Sequence, residues 1–369
     1  MPETATETTG AQSATTKPPL VSVVIPAYNA AGYISATLNS VLNQSFRDFE
    51  IIVINDGSPD TIALERALEP YHSRVRYITQ QNAGPSAARN VGIRQGRGKY
   101  VAFLDSDDLW LPDHLGSQVA ALQTDPSLGL IYANSLHIVN NQPEGNSFDR
   151  TPQSEPVTFE SLVREDCTVG TSTTVAERKA VLDAGLFDES LRRCEDFDLW
   201  LRMAHNGVRM TFTRSIQVYH RLANGLAADS ELMKDARLRV VQKMDNSGIL
   251  TEQQRVIVRR RIQQLEFDLE LNRAKTFLLN GNSREARQAA SRAARACSQW
   301  KVRLLQVGLY FFPGALRSIY RLHRKRIAGR NSNRPVASTQ EFVKTGQVDL
   351  GIRTPQPSNS ASPNEQNAQ

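Results

Sequence analysis

The first hundred residues alternate between two hydrophobic periods. Short runs of β-branched and aromatic residues are separated by stretches in which apolar residues recur every three or four positions. Val21-Ser22-Val23-Val24-Ile25 reads as a buried strand stopped by Pro26. Ala30 to Gln44 carries Ile34, Leu38, Val41 and Leu42 at helical spacing. Phe49 to Ile54 is a second strand ending at an Asp-Gly-Ser turn, and Pro59 and Asp60 open a helix with Ile62, Leu64 and Leu68 as its apolar positions. Val75 to Ile78, a helix over Ser86 to Gln95, and Tyr100 to Leu104 complete a β-α-β-α-β-α-β order. That order predicts an α/β fold: a largely parallel sheet with helices on both faces.

The pattern is less regular beyond that point. Leu128 to Val139 reads as a strand, and the polar, Pro-containing stretch Asn140 to Pro156 as a loop over the site. Ser172 to Val175 is a short strand, Glu177 to Ala184 a short helix closed by Gly185, and Arg209 to Tyr219 a last strand. Cys194 to His205 is a helix with Phe197, Trp200, Leu201 and Ala204 on one face. From about Ala227 to Arg326 long helical stretches take over. Ala274 to Ala296, broken at Gly281-Asn282, resembles one tetratricopeptide-type helix pair, and a single copy does not make an array. The predicted division is a disordered segment over 1–19, an α/β domain over 20–225, a helical basic region over 226–330 and a disordered tail over 331–369.

Composition narrows the class. With 369 residues, 40% hydrophobic and 22% charged, the chain has a globular composition and room for one large domain and a smaller one. Its net charge of +6 is regional: Ala286 to Gln340 holds twelve Lys and Arg and no Asp or Glu, leaving the remainder at about −6. That distribution and the lack of a nucleic-acid signature argue against a nucleic-acid partner. Cys167, Cys194 and Cys297 have neither zinc nor disulfide-framework spacing, and the expected location is the reducing cytoplasm. Met1 to Pro19 lacks the apolar centre of a signal peptide, and no apolar run reaches the ~20 residues of a spanning helix.

Three acidic signatures carry the chemistry: Asp56 in Asn55-Asp56-Gly57-Ser58, the cluster Asp105-Ser106-Asp107-Asp108, and Glu195-Asp196. The first two follow apolar runs, which places them at strand ends, where open α/β sheets form their ligand crevice. Carboxylates brought there from separate strands suit a divalent metal holding a diphosphate, with one more left as a base, so the chain reads as an enzyme. Simpler readings accompany each residue. Asp56 suits an ordinary turn, Tyr28 the core, Arg89 a surface salt bridge, and Asp108 the cap of the helix that follows. Glu195 and Asp196 at a helix start are also favoured by the helix dipole.

Taken in order, Ser22 to Asn29, Asn55 to Ser58, Asn82-Ala83-Gly84-Pro85-Ser86-Ala87-Ala88-Arg89-Asn90, Asp105 to Asp108 and Glu195-Asp196 resemble the motifs of family 2 glycosyltransferases, over roughly residues 20 to 225. The resemblance implies the GT-A fold and inverting transfer of a sugar from a nucleoside diphosphate donor, expected to be UDP-linked, to a glycan or lipid-linked acceptor in polysaccharide or envelope-glycan synthesis. It implies that Asp56 accepts a hydrogen bond from the base, that Pro26 and Tyr28 wall the nucleoside pocket, and that Arg89 contacts nucleotide or diphosphate. Asp107 would hold Mn²⁺ or Mg²⁺, Asp105 the ribose or a metal-bound water, Asp196 would be the base, and Glu195 would orient the acceptor or Asp196. The departure is Val218-Tyr219-His220-Arg221-Leu222, where many relatives have Tyr-Arg-x-His. His220 as a metal contact and Arg221 as a diphosphate clamp are therefore reordered.

Two rivals share these features: a sugar nucleotidyltransferase and a non-catalytic sugar-nucleotide binder of an envelope-glycan complex. The first normally has a Gly-rich basic loop where this chain has Pro26-Ala27-Tyr28-Asn29. Finally, the apolar, aromatic stretch Leu304 to Leu316 runs into Arg317, Arg321, Arg324, Lys325, Arg326 and Arg330. That juxtaposition suits peripheral contact with an anionic membrane at its inner face, or a packed terminal helix with a solvated basic side.

Overall fold

A computed structural model describes residues 7–8, 17–151, 153–222, 230–296 and 300–321. The expected disordered tail, most of the expected disordered N-terminal segment, Cys297 and the basic cluster beyond Arg321 lie outside the described residues. The strands and helices of the first half are β1 (Glu7–Thr8), β2 (Val21–Ala27), α1 (Ile34–Leu42), β3 (Phe49–Asp56), α2 (Thr61–Leu68), β4 (Val75–Gln80), α3 (Pro85–Gln95) and β5 (Tyr100–Phe103). Then follow β6 (Leu109–Trp110), α4 (His114–Thr124), β7 (Leu128–Val139), β8 (Gln142–Asn146), α5 (Ser147–Arg150), α6 (Phe159–Arg164), β9 (Thr174–Glu177), α7 (Arg178–Asp183), α8 (Glu195–His205) and β10 (Arg209–Arg221). The helices α9 (Ser230–Asn246), α10 (Glu252–Asn280), α11 (Ser283–Ala296) and α12 (Trp300–Phe311) come last, and residues 313–321 are helical as well.

One sheet runs β1-β4-β3-β2-β5-β9-β7-β10-β6, with β8 against β7. Its β4-β3-β2-β5 part is parallel, as the alternating pattern predicted. Antiparallel β9 then separates β5 from β7, so the second half is mixed. Pro26 does not stop its strand, which continues to Ala27. On the β5 side, Val24 carbonyl accepts from Leu104 N, the last rung there, so the amide that Pro26 lacks falls beyond the end of β5. The stretch read as a loop from Asn140 to Pro156 instead makes the β7–β8 hairpin and α5, because Phe148 packs edge-on against Tyr132 and Phe212. Strand β6 escaped the sequence pattern, being only two residues long and paired with Val218 and Tyr219 far along the chain.

The alternation of β2 sorts two cores. Val21, Val23 and Ile25 face α1, α2 and α4, where Ile34, Leu38, Val41, Leu64 and Leu115 are buried. Val24, with Ile52 and Ile54, faces α3, α6 and α8. Helices α9 and α10 join that second core through Leu238, Val241, Val258 and Leu265. Ion pairs fix them there: Lys243 on α9 reaches Asp198 of α8 at 2.7 Å, and Glu165 takes Arg237 of α9 at 2.9 Å and Arg261 of α10 at 2.6 Å. The far half of α10 packs separately with α11 and α12 around Ala274, Leu278, Ala286, Ala290 and Leu309. Among the described residues no helix is long and apolar enough to cross a membrane.

Leu38 and Ile62 test the sorting. Leu38 is fully buried and Ile62 is 77% exposed. Leu38→Ala should lower unfolding stability by about 2–5 kcal/mol in urea titration, while Ile62→Ala should change it by less than about 0.5 kcal/mol.

Candidate active site

The carboxyl ends of β2, β3 and β5 open on a cleft of about 470 Å³ lined by Pro26, Tyr28, Asp56, Gly84, Arg89, Asp105 and Asp107, among others. Tyr28 is 54% exposed, so it is a wall of the cleft and not a core residue. The loop after β2 is held by Asn29 N donating to Ser58 Oγ at 2.7 Å and Ala31 N to Asp60 Oδ2 at 2.8 Å. Asp56 is buried, and its oxygens organise the loop ahead of α3. Oδ1 accepts from Gln80 Nε2 and Ala83 N, and Oδ2 from Gly84 N. Among the contacts of the described residues, Gly84 N takes one of the two acceptor positions of Oδ2. Gly57, at φ +59°, lies so close to this loop that a Cβ would sit 2.6 Å from Asn82 N. No larger residue fits there.

Past β5 the chain turns sharply, with Asp108 N donating to Asp105 O at 3.0 Å and Thr37 Oγ1 donating to the Ser106 and Asp108 carbonyls. The turn gives its three carboxylates different neighbours. Asp105 Oδ1 lies 2.7 Å from Arg89 Nη2; burial alone would raise its pKa, but the guanidinium prevails and lowers it. Arg89 is almost fully buried, its Nη1 reaches Glu195 Oε1 at 2.9 Å, and its guanidinium lies over the Phe187 ring. Burial would lower its pKa, yet the two carboxylates raise it. Nη1 and Nη2 of Arg89 each reach a carboxylate within the protein, so it forms a buried bridge and not a surface pair.

Asp108 is not a helix cap. α4 starts six residues later, behind Asp113, and Asp108 instead accepts from Arg221 N at 3.0 Å and pairs with His220 Nδ1 at 3.1 Å. The Asp108 charge pushes the His220 pKa up to about 9, against the opposing effect of burial. Asp108 engages the ring through Nδ1, the same kind of carboxylate partner that orients a metal-binding imidazole. The sequence offered no way to see that Asp108 would claim it. Arg221 holds its guanidinium over the Tyr33 ring, 5.4 Å from the centroid, and its buried Nη2 has no partner among the described residues.

Asp107 stands apart. No hydrogen bond or ion pair engages its carboxylate among the described residues, and burial together with Asp108 and Asp105 raises its pKa to about 7. Among the described residues no three His, Cys, Asp or Glu side chains converge to bind a metal. A hard divalent ion that keeps most of its ligands as phosphate and water oxygens needs only one or two carboxylates, and uncompensated Asp107 beside Asp105 fits it.

Glu195 and Asp196 begin α8, directly after Cys194, whose φ of +58° turns the chain into the helix. Asp196 accepts from Phe197 N at 2.7 Å and from Thr171 Oγ1 at 3.1 Å. Burial first, then the neighbouring Glu195, raises its pKa to about 6. A small cavity of about 100 Å³ touches Asp196 away from the cleft, between Cys194, Trp200, Met233 and Arg237. Sequence reasoning missed Thr171 and also Ser172, whose hydroxyl accepts from Asp105 N and whose carbonyl accepts from Trp110 Nε1. The only sequence signal was a run of small hydroxyl residues, Thr171 to Thr174.

Comparison with known proteins bears on the family and the fold. The family described as Glycosyl transferase family 2 matches residues 22–175. The Escherichia coli protein UDP-Glc:alpha-D-GlcNAc-diphosphoundecaprenol beta-1,3-glucosyltransferase WfgD is 33% identical over 183 residues, 49% of this chain and 68% of the relative. An uncharacterised glycosyltransferase of Rickettsia conorii is 34% identical over 196 residues, 50% of this chain, and the chain spans only 30% of that relative. Among solved structures, S. aureus TarS 1-349 in complex with UDP-GlcNAc superposes with a TM-score of 0.57 at 19% identity, covering 82% of this chain and 92% of TarS 1-349. The mannosyltransferase PcManGT of Pyrobaculum calidifontis, in complex with GDP-Man and Mn²⁺, gives 0.52 at 18% identity, covering 82% and 84%. At these identities the likeness shows a shared fold, the GT-A type.

The Asp108–His220 pair sets a pH dependence of stability. His220 is raised from 6.5 to about 9, so its contribution is complete below pH 6.5 and is lost as pH rises through about 9. In chelator-treated protein, melting temperature should fall across that window, and Asp108→Asn or His220→Gln should flatten the fall. An unchanged slope in both variants would refute the pairing.

Proposed function

This chain belongs to glycosyl transferase family 2, and on that premise we propose that it moves a sugar from a nucleoside diphosphate donor, UDP-linked, to a hydroxyl of a glycan or lipid-linked acceptor, with inversion. The observation that carries the reading is the Arg89 bridge, which couples Asp105 in the donor cleft to Glu195 beside Asp196. A nucleotide cleft and a half-buried carboxylate with a raised pKa are thereby held in one frame. The E. coli relative's name specifies UDP-Glc and a diphosphoundecaprenol acceptor, and a structural neighbour is a UDP-GlcNAc complex, which supports the same donor class and a lipid-linked acceptor here. A lipid-linked acceptor would be met by peripheral contact with an anionic membrane.

Each side chain has a part. Tyr28 and Pro26 wall the nucleoside, and the acceptor position left on Asp56 Oδ2 takes an N–H of the base. Asp105, oriented by Arg89, would contact the ribose, and Arg221, whose Nη2 is unpartnered among the described residues, would contact the diphosphate. Asp107, with Asp105, would hold Mn²⁺ or Mg²⁺, which neutralises charge on the departing diphosphate. The acceptor oxygen attacks the anomeric carbon from the face opposite the diphosphate. As the new C–O bond forms and the bond to phosphate breaks, the hydroxyl proton passes to Asp196. Glu195 keeps Asp196 in place and raises its basicity. A sugar nucleotidyltransferase is disfavoured because a tyrosine wall occupies the place of a triphosphate loop.

The test is incubation of purified protein with candidate sugar nucleotides and Mn²⁺, reading release of nucleoside diphosphate with and without acceptor. Asp196→Asn should keep donor affinity and lose on the order of 10²–10⁴ in transfer rate. Because Asp196 accepts a proton only when ionised, the wild-type rate should decline as pH drops through about 6. Retention of most of the rate by Asp196→Asn would place the base elsewhere. Asp107→Asn should abolish the metal dependence of donor affinity, so that a chelator weakens donor binding in wild type and has no further effect in the variant.

A further inference from the structure

The end of the described chain presents apolar surface that no other described residue buries. Helix α12 buries Leu305 and Leu309 against α10 and α11, and Gly308 lets Leu316 of the following helix approach closely. The opposite side carries Leu304, Val307, Tyr310, Phe311, Phe312 and Ile319, each between 54 and 67% exposed. Three consecutive aromatic residues therefore stand at the bend between two helices. Single exposed apolar residues are ordinary, but a cluster of this size marks a contact surface.

Charge decides between occupants. From Ala286 to Gln340 there are twelve Lys and Arg and no Asp or Glu. A second copy meeting this face isologously would bring the two basic regions together, whereas an anionic lipid surface is complementary to them. The structure also separates the basic residues by role. Arg317 Nε and Arg321 Nη2 donate to the Leu278 and Leu279 carbonyls at the end of α10, so they cap a helix. Arg284 and Arg295 of α11 are exposed, and Arg287 lies against the Tyr310 ring.

We propose that the bend at Tyr310-Phe311-Phe312 inserts into the headgroup boundary of an anionic membrane, with Leu304, Val307 and Ile319 as its apolar apron and the exposed arginines of α11 on the phosphates. Aromatic rings sink into the interface while the cations stay at headgroup level, which makes docking reversible and salt-sensitive. The role rests on the glycosyltransferase reading only for its purpose, bringing the active site to a lipid-linked acceptor. Vesicle binding, measured without donor or acceptor, can fail while that reading stands.

The experiment is co-sedimentation of the full chain with vesicles of phosphatidylcholine alone or with phosphatidylglycerol, at low and high salt. Wild type should sediment with the anionic vesicles and be released by salt. The triple variant Tyr310→Ser, Phe311→Ser, Phe312→Ser should lose at least about tenfold in partitioning. Arg284→Gln with Arg295→Gln should weaken binding and reduce its salt dependence. Ile62→Ser, an exposed apolar change on α2, should bind like wild type. Phe312→Ser alone provides the readout if the triple variant melts early. Wild type that ignores anionic vesicles, or aromatic variants that bind equally well, would overturn the proposal. So would a wild-type dimer, seen by sedimentation velocity, that the aromatic variants dissolve without any change at vesicles.

Discussion

The site depends on one buried guanidinium. Arg89 projects from α3 between Asp105, at the end of β5, and Glu195, at the start of α8, elements 16 and 106 residues away in sequence. Removing one member of a buried ion pair leaves an uncompensated charge and typically costs about 3–5 kcal/mol. The bridge therefore ties the cleft at the end of β5 to the start of α8. Its face rests on Phe187, itself packed edge-on against Phe103 and close to Trp200, so the cation is fixed by the core beneath it. It also differentiates the carboxylates. Asp105, beside the guanidinium, is lowered, while Asp107, buried next to Asp108 and Asp105, is raised to about 7.

The other acids of the turn and of α8 are engaged in structure. Asp108 holds His220 and the backbone of Arg221, which fastens the end of β10 to the turn after β5. Asp198 takes Arg202 within α8 and Lys243 from α9. The helical region is thereby tied to α8: α9 and the near half of α10 share its core, and Met233 and Arg237 reach the cavity beside Asp196. The far half of α10, with α11 and α12, forms a separate alanine-rich packing unit whose outer aromatic residues are exposed among the described residues.

The sequence by itself determined the parallel half of the sheet and its helices, since their residues obey local periods of two and 3.6. It also placed Asp56, Asp105 and Asp107 at strand ends and Glu195 and Asp196 at a helix start, because motif position follows from the elements around it. Where it failed, the deciding contacts were distant. Pro26 is tolerated because β5 has already ended; β6 exists because β10 lies beside it; and residues 142–150 are ordered because Phe148 finds Tyr132 and Phe212. Only the tertiary structure decided what each charge does. A carboxylate in a motif can cap, pair or bind, and the choice rests on which cation lies within a few ångströms. Arg89 became a bridge and His220 a partner of Asp108 because the fold brought them there, which no local period encodes.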